Sequence, residues 1–123
     1  MQQIVREWDL PGVTVIRSSH SIDVLAPEIS KRTLVRQVRE LVGEAGTTAV
    51  LCIGDRGRWP GNDFALLQEP YSLSVDEVSP DPNTGWNLAP AGHRGVQGTL
   101  DYLAAMQMLH GSYQLIPDQI GRA

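Results

Sequence analysis

An α/β fold is the class this sequence predicts, and three stretches predict it. Two short β-branched runs lie near the start, an amphipathic helix covers 31–42, and a continuous apolar run, Thr48-Ala49-Val50-Leu51-Cys52-Ile53, is bounded by glycine. A run of that last kind suits a strand buried on both faces of a parallel sheet covered by helices. At 123 residues the chain is expected to be a single domain, 1–123, and long enough to build a core without staples.

In order, Val13-Thr14-Val15-Ile16 follows Pro11-Gly12 and reads as a strand. Ser21-Ile22-Asp23-Val24-Leu25 reads as a second, and Arg17-Ser18-Ser19-His20 between them as the turn of a hairpin that Pro27 ends. Ser30 is placed as an N-cap. Leu34, Val35, Val38, Leu41 and Val42 recur at helical spacing, and Gly43 and Gly46 stop that helix. After the apolar strand, Gly54 to Gly61 reads as a loop, Asp63 to Leu67 as a short helical piece and Tyr71 to Val75 as a strand. Residues 76–95 form a long loop, and Val96, Leu100, Leu103 and Met106 mark a last helix over 96–109. The tail from Gly111 carries no clear signal.

Composition narrows the function classes. The net charge is −4, which disfavours nucleic acid. Residues 1–58 hold eight Lys/Arg against seven Asp/Glu, and 59–123 hold two against seven. The basic excess lies in KRTLVRQVR at 31–39, a solvated helix face or, alternatively, a source of phosphate steering. One cysteine, Cys52, excludes an internal disulfide and fits a reducing, cytoplasmic setting. No run approaches a membrane span, and the opening MQQIVREWDL lacks the apolar region of a secretory signal.

The loop after the apolar run carries the chemistry. Asp55 stands where open α/β sheets bind ligands, beyond a strand's carboxyl end. Gly54 permits a tight exit, Gly61 lets backbone approach closely, and a second carboxylate, Asp63, follows Asn62. Two carboxylates on one loop suit Mg²⁺, a hard cation that takes oxygen ligands and keeps several waters. Capping of backbone amides by Asp55 and of a helix by Asp63 is the alternative use of the pair.

Ile53-Gly54-Asp55…Asn62-Asp63 resembles the fourth motif, GDxxND, of haloacid-dehalogenase-like (HAD) phosphatases. Ser21-Ile22-Asp23-Val24…Ile29-Ser30-Lys31 resembles the passage in which such proteins leave an inserted cap and re-enter the core, where Lys31 matches the lysine of the third motif. The resemblance covers roughly residues 13–75. It implies a partial HAD-like (Rossmannoid) parallel sheet flanked by helices, with 1–28 as a cap-like hairpin segment and 29–123 as half of the core. It also implies Mg²⁺ at Asp55 and Asp63, a small phosphate monoester as substrate, and Lys31 steadying phosphate as charge develops. Gly54, Arg56, Gly61 and Asn62 would lie close to that phosphate.

Departures from the pattern are as informative. The aspartate nucleophile of such enzymes sits in a DxDx[TV] motif, and no Asp-x-Asp occurs in this sequence. The second motif, a Ser/Thr at the end of an apolar strand, has no counterpart. Seven residues separate Asp55 from Asp63, where GDxxND has three. Ser79 to Arg94 has no counterpart in the family pattern. The expectation is therefore a half-fold, inactive alone or completed by a separate N-terminal half, with weak Mg²⁺ binding and an uncovered strand edge that invites a dimer. A non-catalytic, self-associating α/β module is the alternative.

The remaining candidates carry less. His20, His93 and His110 are too scattered for a zinc set, and Ser18, His20 and Asp23 on one hairpin do not imply a triad. Cys52 is expected to be an inert core thiol. Trp59 and Trp86 read as packing anchors or, alternatively, as loop aromatics that cover a pocket, and Arg56 and Arg58 as solvated loop arginines or phosphate contacts.

Overall fold

The computed structural model describes residues 12–42 and 50–122. Among the described residues it is a small α/β arrangement of three two-stranded sheets and two α-helices. No helix among the described residues is long and apolar enough to cross a membrane.

β1 (Thr14–Arg17) and β2 (Ile22–Leu25) pair antiparallel as the hairpin the sequence predicts. Its turn is tied by Ser18, whose hydroxyl accepts the N–H of His20 at 3.1 Å and of Ser21 at 3.0 Å. That bonding occupies Ser18 within the turn, and no triad with His20 and Asp23 is assembled.

α1 runs Lys31–Val42, with the bounds the periodicity predicts. Ser30 immediately precedes it, and its carbonyl accepts the Thr33 N–H at 3.0 Å. The glycines expected to stop it, Gly43 and Gly46, lie outside the described residues. Of its five periodic apolar side chains only Val35 is buried. The polar side anchors it instead: Glu69, only 4% exposed, accepts from Arg32 Nε at 2.7 Å and from Arg39 Nη2 at 2.8 Å. With Lys31 bonded to Asp63, three of the four basic residues of the 31–39 run serve internal ion pairs.

β3 is Cys52–Arg56 and β4 is Ser72–Glu77; they pair parallel, with Cys52 opposite Ser72 and Gly54 opposite Ser74. Of the strand expected over 48–53, Thr48 and Ala49 lie outside the described residues; the described strand starts at Cys52 and runs through Gly54, where a loop was expected, to Arg56. The strand reaches Arg56 because β4 continues alongside it and because the Asp63 carboxylate receives the Asp55 N–H. Only Cys52 of β3 is buried, so this strand is not covered throughout. The segment after it is turns from Asn62 to Ala65 followed by a 3₁₀ turn, Leu66–Gln68, in place of the expected helical piece.

A small core of Leu73, Val75 and Tyr102 is lined by Leu51, Ile53, Ala89, Leu115 and Ile120. The Tyr102 hydroxyl donates to the Ser74 carbonyl at 2.7 Å and accepts the Leu88 N–H at 2.8 Å, fastening the long loop to β4. Burial pushes the Tyr102 phenol above its ordinary range, against the opposing effect of the amides that donate to it. The same loop is held at Ser72, whose hydroxyl donates to the Glu69 carbonyl at 2.7 Å and accepts the Gly85 N–H at 2.9 Å.

α2 is Val96–Ala104, five residues shorter than the expected 96–109. Met106 continues the helical spacing by coincidence. His110 and Gly111 both take positive φ, a two-residue turn whose twist matches paired strands. They fold Met106–Leu109 (β5) onto Ser112–Leu115 (β6). A second 3₁₀ turn, Pro117–Gln119, follows.

Candidate functional site

The C-terminal end of β3, the start of α1 and one face of α2 border an open, shallow cavity of about 490 Å³. It is lined by Lys31, Gly54, Asp55, Asn62 and Asp63 on one side, and by Val75, Gly95, Val96, Thr99 and Leu100 on the other. Five of the seven residues singled out in the sequence therefore meet. The other two, Arg56 and Gly61, line a different cavity. Side chains alternate along a strand, so Asp55 and its neighbour Arg56 leave β3 on opposite faces.

Asp63 is the hub of this cavity. Its side chain is 6% exposed and ion-paired with Lys31, while its second carboxylate oxygen receives the Asp55 N–H at 2.8 Å and the Arg56 N–H at 3.4 Å. Gly54 makes that placement possible: a Cβ there would lie 2.7 Å from the Asp63 carboxylate carbon. A Cβ at Gly61 would overlap the Arg56 and Arg58 carbonyl oxygens, which explains the tight return of the loop. Asp63 thus regains β3 despite the seven intervening residues. It bonds to strand amides across the loop and does not cap a helix.

The two carboxyl groups are pushed apart in acidity. For Asp55, burial and then the hydrogen bond and negative charge of Asp63 raise its pKa above the ordinary 3.8. For Asp63, burial acts upward, but the Lys31 ammonium and the Asp55 N–H outweigh it and hold the carboxylate below 3.8. Asp63 is consequently the more acidic of the two and Asp55 the more basic.

Among the described residues no group of three or more His, Cys, Asp or Glu side chains gathers as a metal site. The donor set nevertheless fits a hard cation held through few protein ligands. Asn62 Oδ1 is buried without a hydrogen-bond partner, and Asn62 lines the cavity beside Asp55. An orphaned amide oxygen and a carboxylate of raised basicity are ligands Mg²⁺ accepts alongside water and phosphate.

Sequence reasoning missed the α2 wall. Val96 and Leu100 carried the helical spacing, but nothing in it distinguished a cavity lining from a core face. Trp59 and Trp86, expected as packing anchors, are each more than half exposed: Trp59 meets Phe64 edge-on, and Trp86 donates its indole N–H to the Pro82 carbonyl at 2.7 Å. His93 is bonded to Asp101 at 2.6 Å. Cys52 is buried, and burial raises its thiol pKa, as suits an unreactive core thiol.

Compared with known protein families, with curated proteins and with solved structures, the chain matches none.

Proposed function

We propose that Lys31, Asp55 and Asp63 form the phosphate-and-Mg²⁺ half of a HAD-type phosphohydrolase site for small phosphate monoesters, completed by a separate segment bearing the aspartate nucleophile. The observation that supports this reading is the meeting of Lys31 with Asp63 and Asp55 at the carboxyl end of a parallel strand. On this reading the β3–β4 pair is part of a larger HAD-like sheet. Lys31 supplies a fixed positive charge to the phosphoryl oxygens, and Asp55 and Asn62 offer oxygen ligands to the metal. Mg²⁺, when bound, supplies further positive charge to the same oxygens. Asp63 holds Lys31 and the strand end in position. Without an Asp-x-Asp in the sequence, the chain alone performs no covalent step.

The test is calorimetric titration of Mg²⁺ in the presence and absence of inorganic phosphate. Each is expected to tighten the other's binding, and Asp55→Asn and Lys31→Ala are expected to remove that mutual dependence. Phosphate binding indifferent to Mg²⁺ and to both substitutions would refute the reading. Hydrolysis of an aryl phosphate by the chain alone, lost in both variants, would overturn the claim that the nucleophile is missing.

A second reading, a self-associating module, draws on the edge of β3. The Cys52 N–H bonds to the Tyr71 carbonyl, so strand alternation turns the N–H and C=O of Ile53 away from β4. Among the described residues no strand pairs with that edge. Val96, 78% exposed, and Leu100 flank the same cavity. An open edge beside exposed apolar side chains favours pairing with another chain. Light scattering of the purified chain decides it: a dimer that Leu100→Asp dissociates supports the module, and a monomer at all concentrations excludes it.

A further inference from the structure

A second cavity, of about 360 Å³, lies where the β1–β2 turn meets the loop after β3. Arg17, Arg56 and Arg58 line it together with Ser18, Trp59 and Glu77. None of its lining residues is shared with the cavity of Lys31, Asp55 and Asp63. Three arginines therefore line one cavity in a protein whose net charge is −4.

Internal pairing leaves that charge largely uncompensated. Arg56 Nη1 meets Glu77 at 3.2 Å, while neither Arg17 nor Arg58 forms an ion pair with any described residue. Arg56 Nε is buried with no hydrogen-bond partner. That atom is closed off from solvent, so the donors open to a ligand are those of the exposed Arg17 and Arg58, whose guanidinium forks match an oxyanion. The wall is also fixed in place by backbone bonds between the turn and the loop. The Arg17 N–H donates to the Pro60 carbonyl at 2.8 Å, and the Asn62 N–H donates to the Arg17 carbonyl at 2.9 Å. Trp59 adds a ring that is 52% exposed and braced edge-on by Phe64, with centroids 5.4 Å apart.

We infer that this cavity binds a small organic oxyanion, a phosphate or carboxylate on a flat body, gripped by Arg17, Arg56 and Arg58 and stacked on Trp59. The site is independent of the phosphohydrolase reading, because it uses no carboxylate ligand and needs no metal. Glu77 limits the charge the cavity tolerates and keeps Arg56 oriented.

Phenylphosphonate and benzoate, titrated in the presence of EDTA with tryptophan fluorescence and calorimetry as readouts, test the inference. Saturable binding of either is expected, and the tighter of the two identifies the oxyanion. The fluorescence change should vanish in Trp59→Phe. Arg58→Gln and Arg17→Gln, both at exposed positions, should each weaken binding about tenfold, as loss of a charge-assisted hydrogen bond does. Arg36→Gln, the same charge change on exposed α1, should leave binding intact. Equal binding of benzyl alcohol, equal affinity in Arg58→Gln, or loss on Lys31→Ala alone would each overturn it. The first would show a ring site without an anion, and the last would place the anion in the other cavity.

Discussion

Lys31 and Asp63, thirty-two residues apart, form an ion pair that joins the first turn of α1 to the strand end at β3. The carboxylate is nearly buried and the ammonium is 40% exposed. The pair therefore links what the loop does to where the helix sits. A carboxylate already bonded to two backbone amides keeps only part of its dependence on the lysine.

Asp63→Ala should consequently cost more stability than Lys31→Ala. Removing Asp63 strands Lys31 and the Asp55 N–H, at about 2–3 kcal/mol. Removing the part-exposed lysine leaves the amides in place and should cost about 1 kcal/mol. Urea denaturation of both variants checks the order; equal costs would mean that the amides contribute little.

Acidity gives the two carboxyl groups opposite effects on stability. Asp63 has a folded pKa below its ordinary 3.8, so its stabilisation is present above 3.8 and is lost as pH falls through the lower value. Asp55 has a folded pKa above 3.8, so folding is favoured while it holds a proton, and that advantage is lost as pH rises through the raised value. Asp55→Asn should thus be more stable than the parent near neutrality and Asp63→Asn less stable. Urea midpoints measured over roughly pH 3 to 7 would show the parent's acid-side loss diminished in Asp63→Asn.

Gly54→Ala should displace the Asp63 carboxylate, because its methyl group would stand 2.7 Å from that carbon. The expected loss is about 1–3 kcal/mol, together with loss of coupled Mg²⁺ and phosphate binding. Unchanged stability and binding would show that the loop shifts freely to admit a methyl group.

Tyr102→Phe should cost about 1–2 kcal/mol by removing the partner of the buried Ser74 carbonyl and of the part-buried Leu88 N–H. Hydrogen exchange at Leu88 offers a local readout: its protection should fall further than that of the β3 amides.

Local signals were legible where neighbours in sequence are neighbours in space. The hairpin, with its Ser18 turn, and the bounds of α1 follow from β-branched runs and helical spacing. The pairing of Gly54 with Asp55 and of Asn62 with Asp63 marked the polar end of β3, and Lys31 entered through a family resemblance. The division of that group could not be read. Strand alternation sends Asp55 to one cavity and Arg56 to another, but only once β3 is known to run as far as Arg56.

At Met106 the sequence misled, because the helical spacing of apolar residues continued past the point where the chain turns. Two positive-φ residues farther along, His110 and Gly111, decide that segment as a hairpin.

Residue types and periodicity alone determined the α/β class, the helix over 31–42 and the presence of a carboxylate-rich loop. Tertiary structure decided which cation meets which carboxylate. Arg32 and Arg39 converge on Glu69, Lys31 converges on Asp63, and Arg17, Arg56 and Arg58 line one cavity with Trp59. The physical reason is range. Periodicity encodes which side of an element is apolar, whereas ion pairing across thirty or more residues depends on how those elements pack and on how deeply each carboxylate is buried.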